Sequence, residues 1–441
     1  AHRADLAREQ AEIQRQEAEK QAELAGTVNA FLVEIFGEGD PSKHLGDEPT
    51  ARDLLRNGRE RLDTLESQPR VLAALAVVMG QVYQELGDQS EARELYARAL
   101  DIRRRQLPAP HPDQVESLYL LADAENELGQ HDRSEALLVE AFEQLDRLPD
   151  DPVTRGILLN DLGATRHGME NLDSASELLA EALHIRRQSL GDRHEDTAQT
   201  LNNLAVVRVR QGATQEAADL MRRALAITEE NLGPEHPDSM LGRSNLAATL
   251  HRLGDSQSAA EEYTVLIETQ RRVFGKDHQA TGQSLNNLGH ILLRSGQLGH
   301  ALTKFTEAEA ELGSSLGANH PKTLRALSGI ALTQIEIGDP AEALSAFEDL
   351  FRRAKQASEP PLRLLQGTHA RRGRLWLSLG DRPRAIEDFC ACLRFREEAN
   401  LPSENEGEAE IRELLKKARG ATPGARLSTA CSARLQAREA G

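Results

Sequence analysis

Apolar residues recur along this chain at intervals of 42 positions. The clearest series consists of Leu162, Leu204, Leu246, Leu288 and Ile330. Around it, apolar residues follow the i, i+4, i+7 spacing that places side chains on one face of an α-helix. Runs that alternate apolar and polar residues, which are typical of strands, are absent. The pattern predicts a chain that is helical almost throughout.

Two further series predict where the helices end and how they pack. Glycines follow the apolar series by eight residues, and small residues come five positions later: Gly212, Gly254, Gly296 and Gly338, then Ala217, Ala259, Ala301 and Ala343. Larger apolar residues follow four positions after the small ones: Tyr96, Leu138, Leu179, Met221, Tyr263, Phe305, Phe347 and Phe389. Glycine readily adopts the left-handed conformation at a helix end, and small residues let helices approach closely. Each period therefore predicts a helical hairpin.

The same register extends outward to about eight helix pairs over residues 71–399. A single pair cannot bury its apolar face alone, whereas stacked pairs bury it together. We therefore predict an all-α solenoid of about eight 42-residue helix pairs.

The flanking segments predict end structures. We expect a long charged and then amphipathic helix over 1–36, and a linker with a capping helix over 37–70 that begins with a capping box of Thr50 and Asp53. A capping helix that begins with Ser403 and Glu406 is expected over 400–419. Residues 420–441 lack an apolar period, which predicts a disordered tail.

Three motifs resemble a known family. Leu201–Ala205 reads Leu-Asn-Asn-Leu-Ala, Leu285–Gly289 nearly repeats it, and Leu232–Asp238 reads Leu-Gly-Pro-Glu-His-Pro-Asp. With them, residues 71–399 resemble tetratricopeptide repeats of the kinesin-light-chain type. The resemblance implies a right-handed solenoid whose first helices line a concave groove. It also implies that the groove binds a protein or an extended peptide and that the chain is not an enzyme.

A narrower resemblance lies before the repeats, in Thr27–Phe36, Gly39–Ser42 and Thr50–Leu55. These segments are similar to the stretch that joins a membrane helix to such repeats in certain bacterial Ser/Thr protein kinases. The resemblance implies a regulatory or sensing region on the extracytoplasmic side of a membrane, with the kinase domain and membrane anchor upstream. The sequence contains no kinase motifs of its own. The alternative is a freestanding scaffold or adaptor, which would be cytoplasmic.

Polar residues repeat on the predicted first helices. Asn203, Asn245 and Asn287 directly precede the apolar series, and Arg210, Arg252 and Arg294 lie near the helix ends. An amide both donates to and accepts from a peptide backbone. Guanidinium groups pair with carboxylates. We therefore predict a peptide-binding site for an acidic or carboxylate-bearing partner.

The family resemblance adds Asn202, Asn286 and His290 to this site, and Arg371 and Arg374 extend it in the last repeat. Two simpler interpretations stay open. Each asparagine can instead bond the neighbouring repeat. Each arginine at a helix end can complement the carbonyl end of its own helix.

Composition and isolated motifs exclude other functions. The net charge of −18 disfavours binding to nucleic acid. No run of about 20 apolar residues predicts a membrane helix. Five histidines at the joints, His111, His194, His236, His278 and His320, lie too far apart to share a metal, so we expect them to cap or brace the joints.

Two remaining motifs are weak. Ser315 lies in a Gly-Ser-Ser-Leu-Gly sequence that matches a hydrolase nucleophile motif, which leaves a serine hydrolase as a remote alternative. Cys390, Cys392 and Cys431 form neither a disulfide framework nor a zinc pattern. We expect no metal and no cofactor.

Overall fold

The computed structural model describes residues 25–31, 33, 50–400 and 406–420, and these contain helices but no strand. Residues 25–31 and 33 are helical. The labelled helices are α1 (Ala51–Leu62), α2 (Pro69–Glu85), α3 (Gln89–Gln106), α4 (Pro112–Glu127), α5 (His131–Leu145), α6 (Pro152–Gly168), α7 (Leu172–Ser189), α8 (Glu195–Arg210), α9 (Thr214–Leu232), α10 (Pro237–Leu253), α11 (Ser256–Phe274), α12 (Gln279–Arg294), α13 (Leu298–Leu316), α14 (Pro321–Ile337), α15 (Pro340–Ala354), α16 (Leu362–Ser378), α17 (Arg382–Glu398) and α18 (Glu406–Gly420). A short 3-10 helix, Asp63–Leu65, follows α1.

Helices α2 to α17 form eight consecutive pairs, which confirms the predicted all-α repeat fold. The chain divides into two compact units, Ala1–Ile227 and Thr228–Gly441, here called the first and second units. Within the first unit, each helix from α2 to α7 packs against the next helix in the chain, and so does each helix from α10 to α17 within the second. The apolar faces of neighbouring pairs are therefore buried together.

The turn inside each pair has the predicted geometry. Gly212, Gly254 and Gly338 have φ values of 83°, 96° and 90°. In the third pair Glu170 takes the glycine position and still has a φ of 61°. A side chain with a Cβ is strained there, because the left-handed conformation brings the Cβ close to the backbone.

Large side chains from the second helices fill the core against small residues of the first helices. All eight predicted core positions are buried: Tyr96, Leu138, Leu179, Met221, Tyr263, Phe305, Phe347 and Phe389. A Cβ on Gly80 would lie 2.6 Å from the Tyr96 ring, and one on Gly289 would lie 2.8 Å from the Phe305 ring. Close helix approach thus depends on pairing a small residue with a large one.

The five joint histidines are N-caps, as expected. Each Nδ1 accepts a hydrogen bond from the backbone N–H two residues later, at 3.2 Å for His111, His194 and His320 and 3.3 Å for His236 and His278. The bond satisfies an N–H group at the start of a first helix, which otherwise has no partner within the helix. These side chains are structural.

The structure describes parts of both end segments. Thr50 and Asp53 form the expected capping box at the start of α1. Helix α18 packs against α17 at the other end. Ser403, Cys431 and residues 1–24, 34–49 and 421–441 lie outside the described residues.

Candidate functional site

The predicted site residues lie on first helices of both units. Asn202, Asn203 and Arg210 are on α8 in the first unit. The others are in the second unit: Asn245 and Arg252 on α10, Asn286, Asn287, His290 and Arg294 on α12, and Arg371 and Arg374 on α16. The two sets are described separately.

In the first unit, the predicted residues contact the preceding repeat. Asn202 and Asn203 are half-buried. Asn203 Nδ2 donates to Asn160 Oδ1 at 3.2 Å, and Arg210 pairs with Glu170 Oε1 at 2.9 Å. These contacts match the simpler interpretation, in which the repeated polar residues brace neighbouring repeats.

Two carboxylates on first helices of the first unit, Asp123 and Asp161, have raised pKa values. Asp161 lies one period before Asn203 and accepts a hydrogen bond from Asn160 Nδ2 at 3.1 Å. Burial and the nearby Asp123 raise the pKa of Asp161 to about 7. Burial also raises the pKa of Asp123, although a hydrogen bond from Gln84 opposes this effect. The sequence analysis did not single out this pair.

The asparagines of the second unit differ in exposure. Asn245 is half-buried and Asn287 is exposed, with its Nδ2 donating to the Tyr263 hydroxyl at 3.2 Å. Asn286 is buried, and its Oδ1 has no hydrogen-bond partner within the described part of the chain. The Asn287 amide can therefore form further hydrogen bonds at the surface, whereas the Asn286 side chain is mainly enclosed by protein.

His290 lies among cations. Its ring meets Phe305 edge to face at 4.8 Å between centroids. Burial, followed by Arg371, Arg325 and His251, lowers the pKa of His290 to about 4. The imidazole is therefore neutral at pH 7, where one nitrogen donates and the other accepts.

Several guanidinium groups of the second unit have no acidic partner. Arg252, Arg294 and Arg325 are exposed and Arg371 is half-buried. Across the described ranges, no carboxylate lies within ion-pair distance of these four side chains. Burial and Arg374 lower the pKa of Arg371. Arg374 itself pairs with Glu410 of α18 at 2.8 Å, so the two arginines are not equivalent.

Arg325 was not among the residues predicted from the sequence, because no arginine stands one period before or after it. Gly329 takes the position of Asn287 one period later, and Arg325 lies four residues before Gly329. Residues four apart share one helix face. Arg325 and Arg371 both act electrostatically on His290, and these three residues are named here the cationic face.

Other candidate chemistry is not supported. Ser315 lies in the last turn of α13 and donates to the Glu311 carbonyl at 2.9 Å, unlike a hydrolase nucleophile, which needs a strand-to-helix turn. Cys392 is a buried free thiol, but Cys390 is disulfide-bonded, contrary to the expectation of no disulfide. Among the described residues, no cluster of His, Cys, Asp and Glu side chains could hold a metal ion. No helix in the described ranges has the length and apolar character needed to cross a membrane.

Comparisons with known structures agree with the fold. RapI in its apo form is 12% identical, with 86% of this chain and 98% of that chain covered and a TM-score of 0.54. A Rap protein complexed with Competence and Sporulation Factor is 13% identical, with 90% and 100% covered and a TM-score of 0.48. The kinesin light chain nearly identical TPR-like repeats of Podosopora anserina are 23% identical, with 48% and 100% covered and a TM-score of 0.43. Of these, only the likeness to RapI supports the fold, and at 12% identity it shows the fold alone.

Sequence comparisons give the family. No curated protein matches the chain significantly. The family model described as tetratricopeptide repeat matches residues 44–147, 154–230 and 238–310. Because these ranges make up more than half of the sequence, the chain belongs to the tetratricopeptide repeat family.

Proposed function

We propose that the chain is a protein-interaction module that binds an extended, acidic segment of a partner along the first helices of the second unit. The observation that carries this proposal is the cationic face: Arg325 and Arg371 have no carboxylate partner among the described residues, and both act electrostatically on a neutral His290. The helical repeats hold these side chains in place, and the side chains would form the contacts with the acidic segment.

The expected charge of the ligand follows from the electrostatic repulsion between arginines that lie close together. Arg371 is half-buried, and both burial and Arg374 disfavour its charged form. A carboxylate bound there would offset that cost and accept two parallel hydrogen bonds from one guanidinium group. The cationic face therefore favours an aspartate, a glutamate or a chain-terminal carboxylate.

The backbone of the ligand would bond the asparagines. Asn287 is exposed and lies two periods before Arg371 on the equivalent helix position. Its amide can donate to and accept from one peptide group. Asn245 and the exposed Arg252 and Arg294 would extend the contact along α10 and α12.

Binding of a synthetic peptide library to the 441-residue chain tests this function. We expect enrichment of acidic peptides, and the Arg371→Gln and Arg325→Gln variants should each bind the selected peptide at least about tenfold more weakly, because each loses a charge-assisted hydrogen bond. Arg352→Gln is the control, since Arg352 is an exposed arginine on the second helix α15 that pairs with Asp349. Equal binding of neutral and acidic peptides, or unchanged affinity in both cationic-face variants, would refute the proposal.

We also propose that this module is the regulatory or sensing region of a bacterial Ser/Thr protein kinase. The support is the similarity of Thr27–Phe36, Gly39–Ser42 and Thr50–Leu55 to the segment before the repeats in such kinases. Sequencing the gene upstream of the codon for Ala1 tests it. A kinase domain and a membrane helix should be encoded there, whereas a start codon adjacent to Ala1 would favour a freestanding adaptor.

A further inference from the structure

Polar side chains replace part of the apolar core in the eighth helix pair, α16 and α17. His369 lies at the position of Leu285 and Leu327 in the two preceding pairs, and Arg372 lies at the position of Ile330. Both leucines are buried. Polar groups at such positions cost free energy unless they form hydrogen bonds. The partners of His369 and Arg372 therefore decide how stable this helix pair is.

Asp388 of α17 bonds both side chains. Arg372 donates from two nitrogens to the two carboxylate oxygens at 2.8 Å each, and His369 Nδ1 lies 2.7 Å from Oδ1. Burial would raise the pKa of Asp388, but the hydrogen bonds from His369 and Arg372 outweigh burial and lower the pKa. Because an ionised carboxylate only accepts hydrogen bonds, His369 carries its hydrogen on Nδ1 and donates it.

Aromatic rings enclose the imidazole of His369. The Phe351 ring of α15 stacks on it with 4.1 Å between centroids, and the Phe395 ring of α17 stacks on it at 5.5 Å. The His369 side chain is only 13% exposed. Arg372 also lies over the Phe351 ring, 4.3 Å from its centroid. Little water can therefore reach the imidazole to solvate an added charge.

The charges around His369 favour a neutral imidazole. Arg372 already neutralises the single charge of Asp388 through two hydrogen bonds. Arg394 of α17, which pairs with Glu398 at 3.7 Å, is a further cation that acts on His369. The charged groups near Phe351 on α15 have ion-pair partners of their own: Asp349, Arg352 and Arg353. Protonation would thus add a second cation to a carboxylate that already has one.

The pKa of His369 agrees with this geometry. Burial lowers the pKa from 6.5, and the hydrogen bond and charge of Asp388 oppose burial without cancelling it. A histidine whose pKa is lower in the folded than in the unfolded state costs stability as pH falls below its ordinary pKa. Asp388 stays ionised there, since its own pKa is lowered. The three side chains are therefore stably bonded at neutral pH and destabilised at mildly acidic pH.

The fifth helix pair provides a contrast at the same positions. Arg243 and Glu262 stand where His369 and Asp388 stand in the eighth pair, and they also form an ion pair. Arginine keeps its charge throughout the physiological pH range. Of the eight pairs, only the eighth has a histidine at this position.

We infer that the His369–Asp388–Arg372 network makes the eighth helix pair a pH-sensitive element, which is closed while the imidazole is neutral and loosens when it is protonated. Helix α16 also carries Arg371 of the cationic face. Loosening would therefore weaken binding of the acidic partner, a consequence that rests on the proposed function.

Hydrogen exchange of the 441-residue chain, measured by mass spectrometry at about pH 5 and about pH 7.5, tests this element without any partner. After correction for the intrinsic exchange rate, protection of α16 and α17 should be at least about threefold lower at the acidic pH, because the protonated imidazole destabilises the network. Equal protection at both pH values would overturn the inference, whether or not the chain binds an acidic peptide.

Two variants assign the effect to His369. His369→Leu restores the residue of the preceding pairs, and His369→Asn keeps a donor for Asp388 that does not titrate. In both variants, protection of α17 should be equal at the two pH values. His300→Asn is the control, since His300 is exposed on the second helix α13, and it should keep the original pH dependence. A pH dependence that persists in both His369 variants would contradict the assignment.

Discussion

Asp161 and Asn203 occupy the same position one period apart, yet they face different electrostatic environments. Burial and Asp123 raise the pKa of Asp161 to about 7. Asn203, in contrast, carries no charge and donates a hydrogen bond to Asn160. A carboxylate whose pKa is higher in the folded than in the unfolded state destabilises the folded state once it ionises. Asp161 therefore costs stability at neutral and alkaline pH.

Asp161→Asn should stabilise the protein at pH 8 and have little effect at pH 4. The ordinary carboxyl pKa is about 4, so the cost of Asp161 develops as pH rises from about 4 to about 7 and is then constant. We expect a gain of about 1–4 kcal/mol at pH 8 in urea unfolding, where the upper value corresponds to a shift of about three pKa units. Asp101→Asn, at an exposed position, is the control. An equal gain at both pH values would contradict the assigned cause.

Glu170→Gly should stabilise the third helix pair. Glu170 has a φ of 61°, and glycine adopts this conformation without strain. The lost pair with Arg210 is exposed and contributes little. We expect a gain of about 1 kcal/mol in the free energy of unfolding. Gly212→Ala, at the same turn position of the next pair, should lose a similar amount. A loss of stability in Glu170→Gly would show that its ion pair outweighs the strain.

At the scale of the helix pair, stability depends on small residues that face large ones. Gly289 of α12 and Phe305 of α13 are such a pair, and a Cβ on Gly289 would lie 2.8 Å from the ring. The same pairing recurs at Gly80 with Tyr96 and at Gly373 with Phe389. Close packing leaves the ring little room to move.

Gly289→Ala should destabilise the protein by about 1–3 kcal/mol, because the added methyl group overpacks the core. Gly299→Ala on α13 is the matched control, since a Cβ there meets nothing within 4 Å. The control should be neutral or slightly stabilising, as alanine is the better helix former. Thermal unfolding of the two variants measures the difference. Equal melting temperatures would mean that Phe305 moves without cost.

The repeat period predicts these elements well, for a physical reason. A 42-residue spacing gives the helix pairs, the glycine turns, the buried core and the histidine caps, because each depends on local geometry or on the nearest repeat. The spacing does not predict which residue a surface side chain forms a hydrogen bond with. Asn203 and Asn287 are two periods apart, yet one bonds Asn160 and the other Tyr263. Arg325 has Gln283 and Gly367 at the equivalent positions of the neighbouring repeats, so the period does not predict it.

At the scale of the whole molecule, a net charge of −18 conceals local differences between the two units. First helices of the first unit carry Asp123 and Asp161, whereas those of the second carry Arg325 and Arg371. Net charge governs solubility and long-range interactions, while local charge governs recognition. An acidic protein can therefore contain a site for an acidic partner.

Photo-crosslinking of the selected acidic peptide to the 441-residue chain, with the modified residues identified by mass spectrometry, tests the central claim most directly. The account predicts crosslinks on α10, α12, α14 and α16, near His290, Arg325 and Arg371, and their loss in Arg371→Gln. Crosslinks confined to the second helices α11, α13, α15 and α17 would contradict it.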